Sequence, residues 1–549
     1  MPVMSTRPPI AAVVAALGLC LILLVGAEDG SGRSYVAAVY EHFVYLNPKP
    51  HVPLSRAAAL EHMKKNLDVY EAQAALAAGK GAQIIVFPED GIHGFNFSRS
   101  SIAGYLEAIP DPQKENWNPC TEPGRHAHTE VLQRLSCMAR RHRLFLVANM
   151  AALQPCSVTF DLTCPPDGRW QFNTDVVFRS DGLLVARYHK YNLYFENAFD
   201  KPPSSELVTF DTPFAGTFGV LTCFDILFHD PTVTLLNKGV RQLVYPTAWM
   251  NQLPLLATVQ FQWAFSRGAN VSVLGANIRS DPLGMTGSGI FSPDTALYHH
   301  ARAGELEAGK LLVGRLPVLD PSWLQDRGAM ERGGLGDGGT EPPPGSEALS
   351  GVGGTGGVGG VGVWSSSVTD SFCLPKEEGC QRTAPSSSPL PPNLFHSSMM
   401  YDQFAFKLLL DSEGELTVCD GSFCCRLQYR RSPLEGSKEL YALGAFAGTH
   451  VVNGRYALQV CALVRCSGTV DRSCGQEVEE ADTKMDFLLE GKFSTQHVYP
   501  SVVVSQVVLE RPDAVERSAD GRVVMRHSGT TAGLVTACLY GRMYDQDGA

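Results

Sequence analysis

Two periods of hydrophobic and polar positions alternate along the first three hundred residues. Short apolar runs at 35–40 (YVAAVY), 83–87 (QIIVF), 144–148, 175–178 and 218–222 have the length and composition of buried strands. Between them lie helical patterns. One covers residues 55–78, with Ser55 suited to an N-cap and Gly79 to a stop; another covers 254–269. Strand and helix alternating in this way predict an α/β layered domain. The pattern then breaks. Residues 326–394 contain GGLGDGG, EPPPG and SGVGGTGGVGGVGV, too poor in large apolar side chains to offset the entropy of ordering, and predict a flexible linker or exposed loop. Residues 395–549 return to short β-type runs such as QFAFKLLL, YALQVCALV and GLVTACLYG, and predict a smaller, mostly β domain. A chain of 549 residues is long enough for two cores.

Charge and cysteines narrow the function classes. The net charge of −11 argues against a nucleic-acid partner, because phosphate binding needs clustered Lys and Arg; the densest basic cluster, ARRHR ending at Arg143, is short. At the N-terminus Arg7 precedes an apolar stretch at 10–25, and Val25-Gly26-Ala27 offers small residues before Glu28. This predicts a signal peptide over residues 1–27, since the run falls short of the ~20 residues of a membrane span. The polar ending YGRMYDQDGA predicts no GPI signal and no membrane anchor, and hence a secreted, extracellular product.

The chain has 15 cysteines. Cys20 lies in the leader, Cys120, Cys137, Cys156 and Cys164 lie early in the mature chain, and Cys223 stands alone. Nine crowd the C-terminal third, from Cys373 and Cys380 to Cys538. In an oxidising compartment such clusters are disulfides. They lack the C-x2-C pairs and histidine spacing of a zinc site, so no metal is expected. Cys538, within an apolar run, is the candidate for a buried free thiol beside Cys223. GVGGTGGVGG follows no strand and opens no helix, so neither a phosphate loop nor a dinucleotide fingerprint is present and no cofactor is expected.

Three segments place a reactive residue at the end of a buried strand, where ligands bind in layered α/β proteins. QIIVFPEDGIHGF presents Glu89, LLVARYHKYNLYFE presents Lys190, and FGVLTCFDILFHDP presents Cys223. Singly, each has an ordinary explanation: a solvated turn, a surface lysine, a disulfide. Together they make a thiol amidase. Nucleophilic amide cleavage needs a thiolate, a base for its proton and positive charge near the oxyanion. A free cysteine has a pKa near ~8.5 and needs help to ionise. Glu89 is the candidate base, Lys190 the oxyanion stabiliser, and the backbone N–H of Phe224 a second donor. A His–Cys dyad through His93 or His229 is the rival catalytic reading.

In order and context, PEDGI, RYHKYNLYF and LTCFDILFHDP resemble the Glu-Lys-Cys motifs of the nitrilase superfamily of carbon–nitrogen hydrolases. PEDGIHGFNFS, DGRWQFNTDVVF, YPTAWMNQLPLLA, MTGSGI, KELYALGAF and CALVRC narrow the likeness to its biotinidase and pantetheinase branch, over nearly all of the mature chain. The resemblance implies an α-β-β-α sandwich over residues 28–325 followed by a disulfide-rich β domain, and a Glu89–Lys190–Cys223 triad with Glu196 as a possible second glutamate. GIHGFNF, Gln252 and Leu283-Gly284 before MTGSGI side with the biotinidase members. The implied activity is hydrolysis of a small-molecule substrate, biocytin or biotinyl-lysyl peptides, to biotin and lysine through a cysteine thioester, with biotinyl transfer to other amines. The alternatives are release of cysteamine from pantetheine, and a biotin carrier without turnover. Tyr194, Trp249, Met250 and Asn251 are the candidate pocket residues, and the sequons at Asn96 and Asn270 the candidate glycan sites.

Overall fold

A computed structural model describes residues 33–319 and 394–547, except 435 and 453. The predicted leader, the glycine-rich linker up to residue 393, Cys373 and Cys380 lie outside the described residues. The described residues fall within one compact unit.

Among the described residues, the N-terminal part contains fourteen strands: β1 (Ser34–Phe43), β2 (Ile84–Val86), β3 (Glu107–Ala108), β4 (Phe145–Pro155), β5 (Arg169–Phe178), β6 (Leu184–His189), β7 (Thr209–Thr212), β8 (Gly216–Val220), β9 (Gln242–Pro246), β10 (Ser272–Ala276), β11 (Ile278–Arg279), β12 (Ser288–Phe291), β13 (Ala296–His299) and β14 (Lys310–Pro317). Its principal helices are α1 (Arg56–Gly79), α2 (Glu130–His142) and α3 (Thr258–Ala269). One sheet runs β11-β1-β2-β4-β5-β6, with β14 beside β1 and β3 beside β4; the other runs β13-β12-β10-β9-β8-β7.

The alternation within β1 explains the layering. Tyr35, Ala37 and Val39 point into a core shared with Phe218, Val220, Val244 and Leu274 of the second sheet. Ala38 and Tyr40 point the other way, against Met63, Leu67 and Tyr70 of α1 and the α2 residues Leu132 and Leu135. Helix α3 covers the outer face of the second sheet. The result is the expected α-β-β-α sandwich.

Helix α1 begins at the expected cap: the Ser55 hydroxyl accepts the Ala58 N–H at 3.3 Å. It runs through Gly79, and Lys80 and Gly81, with φ of +81° at the glycine, make the stop. Helix α3 starts four residues later than the pattern predicts. Residues 254–257 stay outside it because the Gln260 side chain is committed to them, accepting the Ala257 N–H (3.2 Å) and donating to the Pro254 carbonyl (2.8 Å).

The C-terminal part is built from two antiparallel sheets of seven and five strands. Leu443, Leu463 and Leu539 of the first pack on Leu427, Leu489 and Met525 of the second. Cys419–Cys424, Cys425–Cys461 and Cys466–Cys474 staple it, and Cys120–Cys137 and Cys156–Cys164 staple the N-terminal part. Among the described cysteines, Cys223 and Cys538 are free, and both are buried. The two parts share a core: α3 lies on the strand Val498–Val504, where any side chain at Gly268 would lie 2.6 Å from the Tyr499 ring. Among the described residues, no helix is long and apolar enough to cross a membrane.

Candidate active site

Residues following β2, β6, β8 and β9 meet at one end of the sandwich. The end of β2 carries Glu89, 2% exposed; that of β6 carries Lys190, 2%; that of β8 carries Cys223, 6%. All three line one cavity of about 180 Å³, together with Glu196, Tyr194 and Met250. Ala248, just past β9, completes the wall.

The lysine is held between two carboxylates. Its Nζ donates to Glu89 Oε1 at 2.7 Å and also to Glu196 Oε1. Asn173, on β5, bridges the same pair, its amide donating to Glu89 Oε1 (2.8 Å) and Glu196 Oε2 (2.7 Å). The second Glu89 oxygen accepts the Ala248 N–H at 2.9 Å. Burial, the largest influence, works to lower the Lys190 pKa, but Glu196, Glu89 and Cys223 outweigh it and hold it well above the ordinary lysine range. The cation is therefore permanent at neutral pH.

Cys223 stands at a sharp turn. Its φ is +46°, a left-handed conformation that costs a β-substituted residue energy and that functional sites tolerate. It opens a 3-10 turn, Cys223–Leu227, whose leading N–H groups, that of Phe224 among them, have no partner within the turn. Asp225 ties the turn down: it accepts from the Tyr188 hydroxyl (2.7 Å), the Asn192 N–H (2.9 Å), the Asn192 amide (2.8 Å) and the Thr222 N–H (3.2 Å). The Tyr245 hydroxyl donates to the Cys223 carbonyl at 2.7 Å. Burial first, and then the charge of Glu89, push the thiol pKa well up, against Lys190, the Thr247 hydroxyl and the Ala248 N–H. Both effects favour the neutral thiol next to the Glu89 side chain. That arrangement suits proton removal in step with attack, not a standing thiolate.

The remaining sequence candidates divide. Tyr194 lines the cavity, with its ring edge-on to Phe224 at 5.0 Å, and Met250 lines it too. Trp249 and Asn251 do not. The Trp249 indole donates to the Leu256 carbonyl (3.0 Å) and stacks on Phe261. The Asn251 side chain donates to the Gly284 and Thr286 carbonyls and accepts the Thr258 N–H (2.8 Å), so both residues shape the loop behind the wall. The rival histidines lie apart from the cavity lining: His93 is bonded to the Gly94 carbonyl at 2.6 Å, and His229 pairs with Asp230. Asn96 is exposed on the cavity rim; Asn270 is half-buried at the end of α3.

The sequence reading missed Asn173, Asp225, Asn149 and Asp175. Asn149 donates to both Asn173 Oδ1 (2.6 Å) and Asp175 Oδ1 (2.9 Å), and Thr222 donates to Asp175 Oδ2 (2.7 Å). One signal was available: Thr222 and Asp225 have the spacing of a capping box, with Cys223 inside it.

Comparison with known proteins identifies the family. Residues 51–268 match the family model described as carbon-nitrogen hydrolase, and residues 394–547 match the Vanin C-terminal domain. A biotinidase from Takifugu rubripes is 60% identical, covering 96% of this chain and 98% of its own. The Homo sapiens biotinidase is 46% identical over 96% of this chain and 94% of its own. A Mus musculus pantetheinase is 40% identical over 98% and 94%. The chain belongs to the biotinidase and pantetheinase branch of the carbon-nitrogen hydrolases.

Proposed function

We propose that the chain is an amidohydrolase that cleaves biocytin and biotinyl-lysyl peptides, with Cys223 as nucleophile, Glu89 as base and Lys190 as electrostatic stabiliser. The observation that carries the chemistry is the Lys190 ammonium, buried beside Cys223 and bonded to both Glu89 and Glu196. The identity of 46–60% to biotinidases, against 40% to the pantetheinase, favours the biotinyl substrate.

Glu89 takes the proton from the Cys223 thiol as the sulfur attacks the substrate carbonyl carbon. The negative oxygen that forms is met by the Lys190 ammonium and the Phe224 N–H. Glu89 then gives its proton to the departing amine nitrogen, the C–N bond breaks, and lysine leaves an acyl thioester on Cys223. Glu89 next takes a proton from water, whose oxygen attacks the thioester. The carboxylic acid departs and the proton returns to the sulfur. An amine in place of water gives biotinyl transfer. Glu196 acts by keeping Lys190 charged and in place. Asn173, bonded to both carboxylates, sets their spacing.

The five disulfides among the described residues favour an oxidising compartment and so support secretion. The exposed position of Asn96 favours it as the glycan site over Asn270, whose side-chain oxygen is buried.

The test is a paired hydrolysis assay with biocytin and pantetheine at equal concentration, on the unaltered protein and Cys223→Ala. The expected result is faster release of biotin and lysine, and loss of turnover in a variant that still folds. Faster cysteamine release would move the substrate assignment to pantetheine. Turnover by Cys223→Ala would remove Cys223 from the mechanism, and retention of biotin without product would leave a carrier.

A further inference from the structure

A second cavity, of about 350 Å³, opens beside the first. Its walls include Tyr45 and Leu46 after β1, Lys65 on α1, Phe95, Arg279 on β11 and Glu307. Nothing in the catalytic scheme uses it, and the two cavities adjoin. Phe95 lines both, and the consecutive residues Pro282 and Leu283 line one each. The backbone closes tightly at the junction: Gly94 has φ of +85°, and a Cβ there would lie 3.0 Å from Leu46. Around the junction, large apolar side chains face solvent, with Tyr45 47%, Leu46 44% and Leu283 37% exposed. A cluster of this kind beside a catalytic cavity marks a ligand surface.

Its charges are mostly committed. Arg279 pairs with Asp281 at 2.7 Å. Glu307 accepts the Asp281 N–H at 2.7 Å. The His62 ring is bonded to the Tyr45 carbonyl (2.7 Å) and the Tyr105 hydroxyl (3.1 Å). Lys65 is exposed and has no ion pair among the described residues.

An amide substrate has two arms, and the carbonyl must sit at Cys223. If the acyl arm fills the cavity that holds the triad, the amine arm runs out through its mouth. We propose that the second cavity is the leaving-amine subsite. Its apolar wall of Tyr45, Leu46 and Phe95 holds the methylene chain of a lysine-type amine, and the Lys65 ammonium pairs with the free α-carboxylate. This rests on the amidase reading above and adds to it a source of selectivity among leaving groups: an aliphatic amine ending in a carboxylate is preferred to the same amine with a neutral end.

The test compares kcat/KM for biocytin and for its α-carboxamide, using the unaltered protein, Lys65→Glu and Lys65→Arg. Lys65 is exposed, so its variants are expected to fold. Lys65→Glu is expected to lower the biocytin-to-carboxamide ratio about fivefold, mainly through KM, as loss of one partly solvated ion pair allows. Lys65→Arg is expected to keep the ratio near that of the unaltered protein. A ratio unmoved in active Lys65→Glu overturns the subsite and leaves the amidase reading standing. Cleavage of neither substrate by the unaltered protein overturns both.

Discussion

The chemistry of this site depends on where one strained residue points. Cys223 has the left-handed φ of +46° because Asp225, two residues on, gathers four donors and fixes the turn that follows. Burial, the largest influence, pushes the Asp225 pKa up to about 6, against the opposing pull of those donors and of Lys190. An Asp225→Asn substitution keeps the shape but turns an amide N–H toward donors, leaving buried groups unpaired at about 1–3 kcal/mol each. The expected result is a loss of about 2–4 kcal/mol in unfolding free energy and roughly tenfold in kcat, with KM little changed. Chemical denaturation and steady-state kinetics measure the two. A variant with unaltered kcat would mean that the turn holds Cys223 without Asp225.

Among the elements, the C-terminal sheets support the turn that carries Cys223. The turn Cys223–Leu227 is followed by Phe228, and the Phe224 and Phe228 rings both pack edge-on against Tyr456 of the C-terminal part. Arg542, at the end of the strand Leu534–Arg542, is fully buried; it donates to the Leu227 carbonyl at 2.8 Å and to the Ala457 carbonyl at 2.6 Å, and pairs with Asp547. A lysine keeps the charge but loses the planar fork that reaches three acceptors. Arg542→Lys should therefore cost about 3 kcal/mol of stability, read as a lowered melting temperature, and should lower kcat per folded molecule. Loss of stability with kcat intact would confine the C-terminal part to a scaffolding role.

The molecule as a whole carries buried neutral histidines. Burial lowers the pKa of His42, His93 and His300 to about 4. Between about 6.5 and 4 the unfolded chain takes up protons that these rings refuse, so their contribution is full above pH 6.5 and is lost as pH falls toward 4. Asp225 and Glu107, raised by burial to about 6 and about 7, act in the opposite sense. A His42→Gln variant isolates one ring from that balance. His42 is packed edge-on against Tyr70 and bonded to Asn66, in contact with neither Cys223 nor Lys190. The stability advantage of the unaltered protein over the variant should shrink by about 2 kcal/mol from pH 7 to pH 5. Urea unfolding at both values measures it, and a constant difference would show that His42 is protonated in the fold.

Much of this was written locally. The apolar runs at 83–87 and 218–222 became strands β2 and β8, the Ser55 cap started α1, and Cys538 proved a buried free thiol, because strand length, capping and burial depend on neighbours in the chain. Glu89, Lys190 and Cys223 could be singled out because each follows a strand that residue type alone marks as buried. Other features had no local signal. Trp249 and Asn251 looked like wall residues until their hydrogen bonds to Leu256, Gly284 and Thr286 turned them into the loop behind it. Asn173 is one polar residue among many along β5; its contact with both glutamates comes from the register of β4, β5 and β6, which brings together residues 84 positions apart. Arg542 meets Leu227 across 315 positions. Residue type and spacing determined which groups could react, while the pairing of sheets determined which groups meet, because a hydrogen bond needs its partners within about 3 Å and only the packed chain supplies that distance.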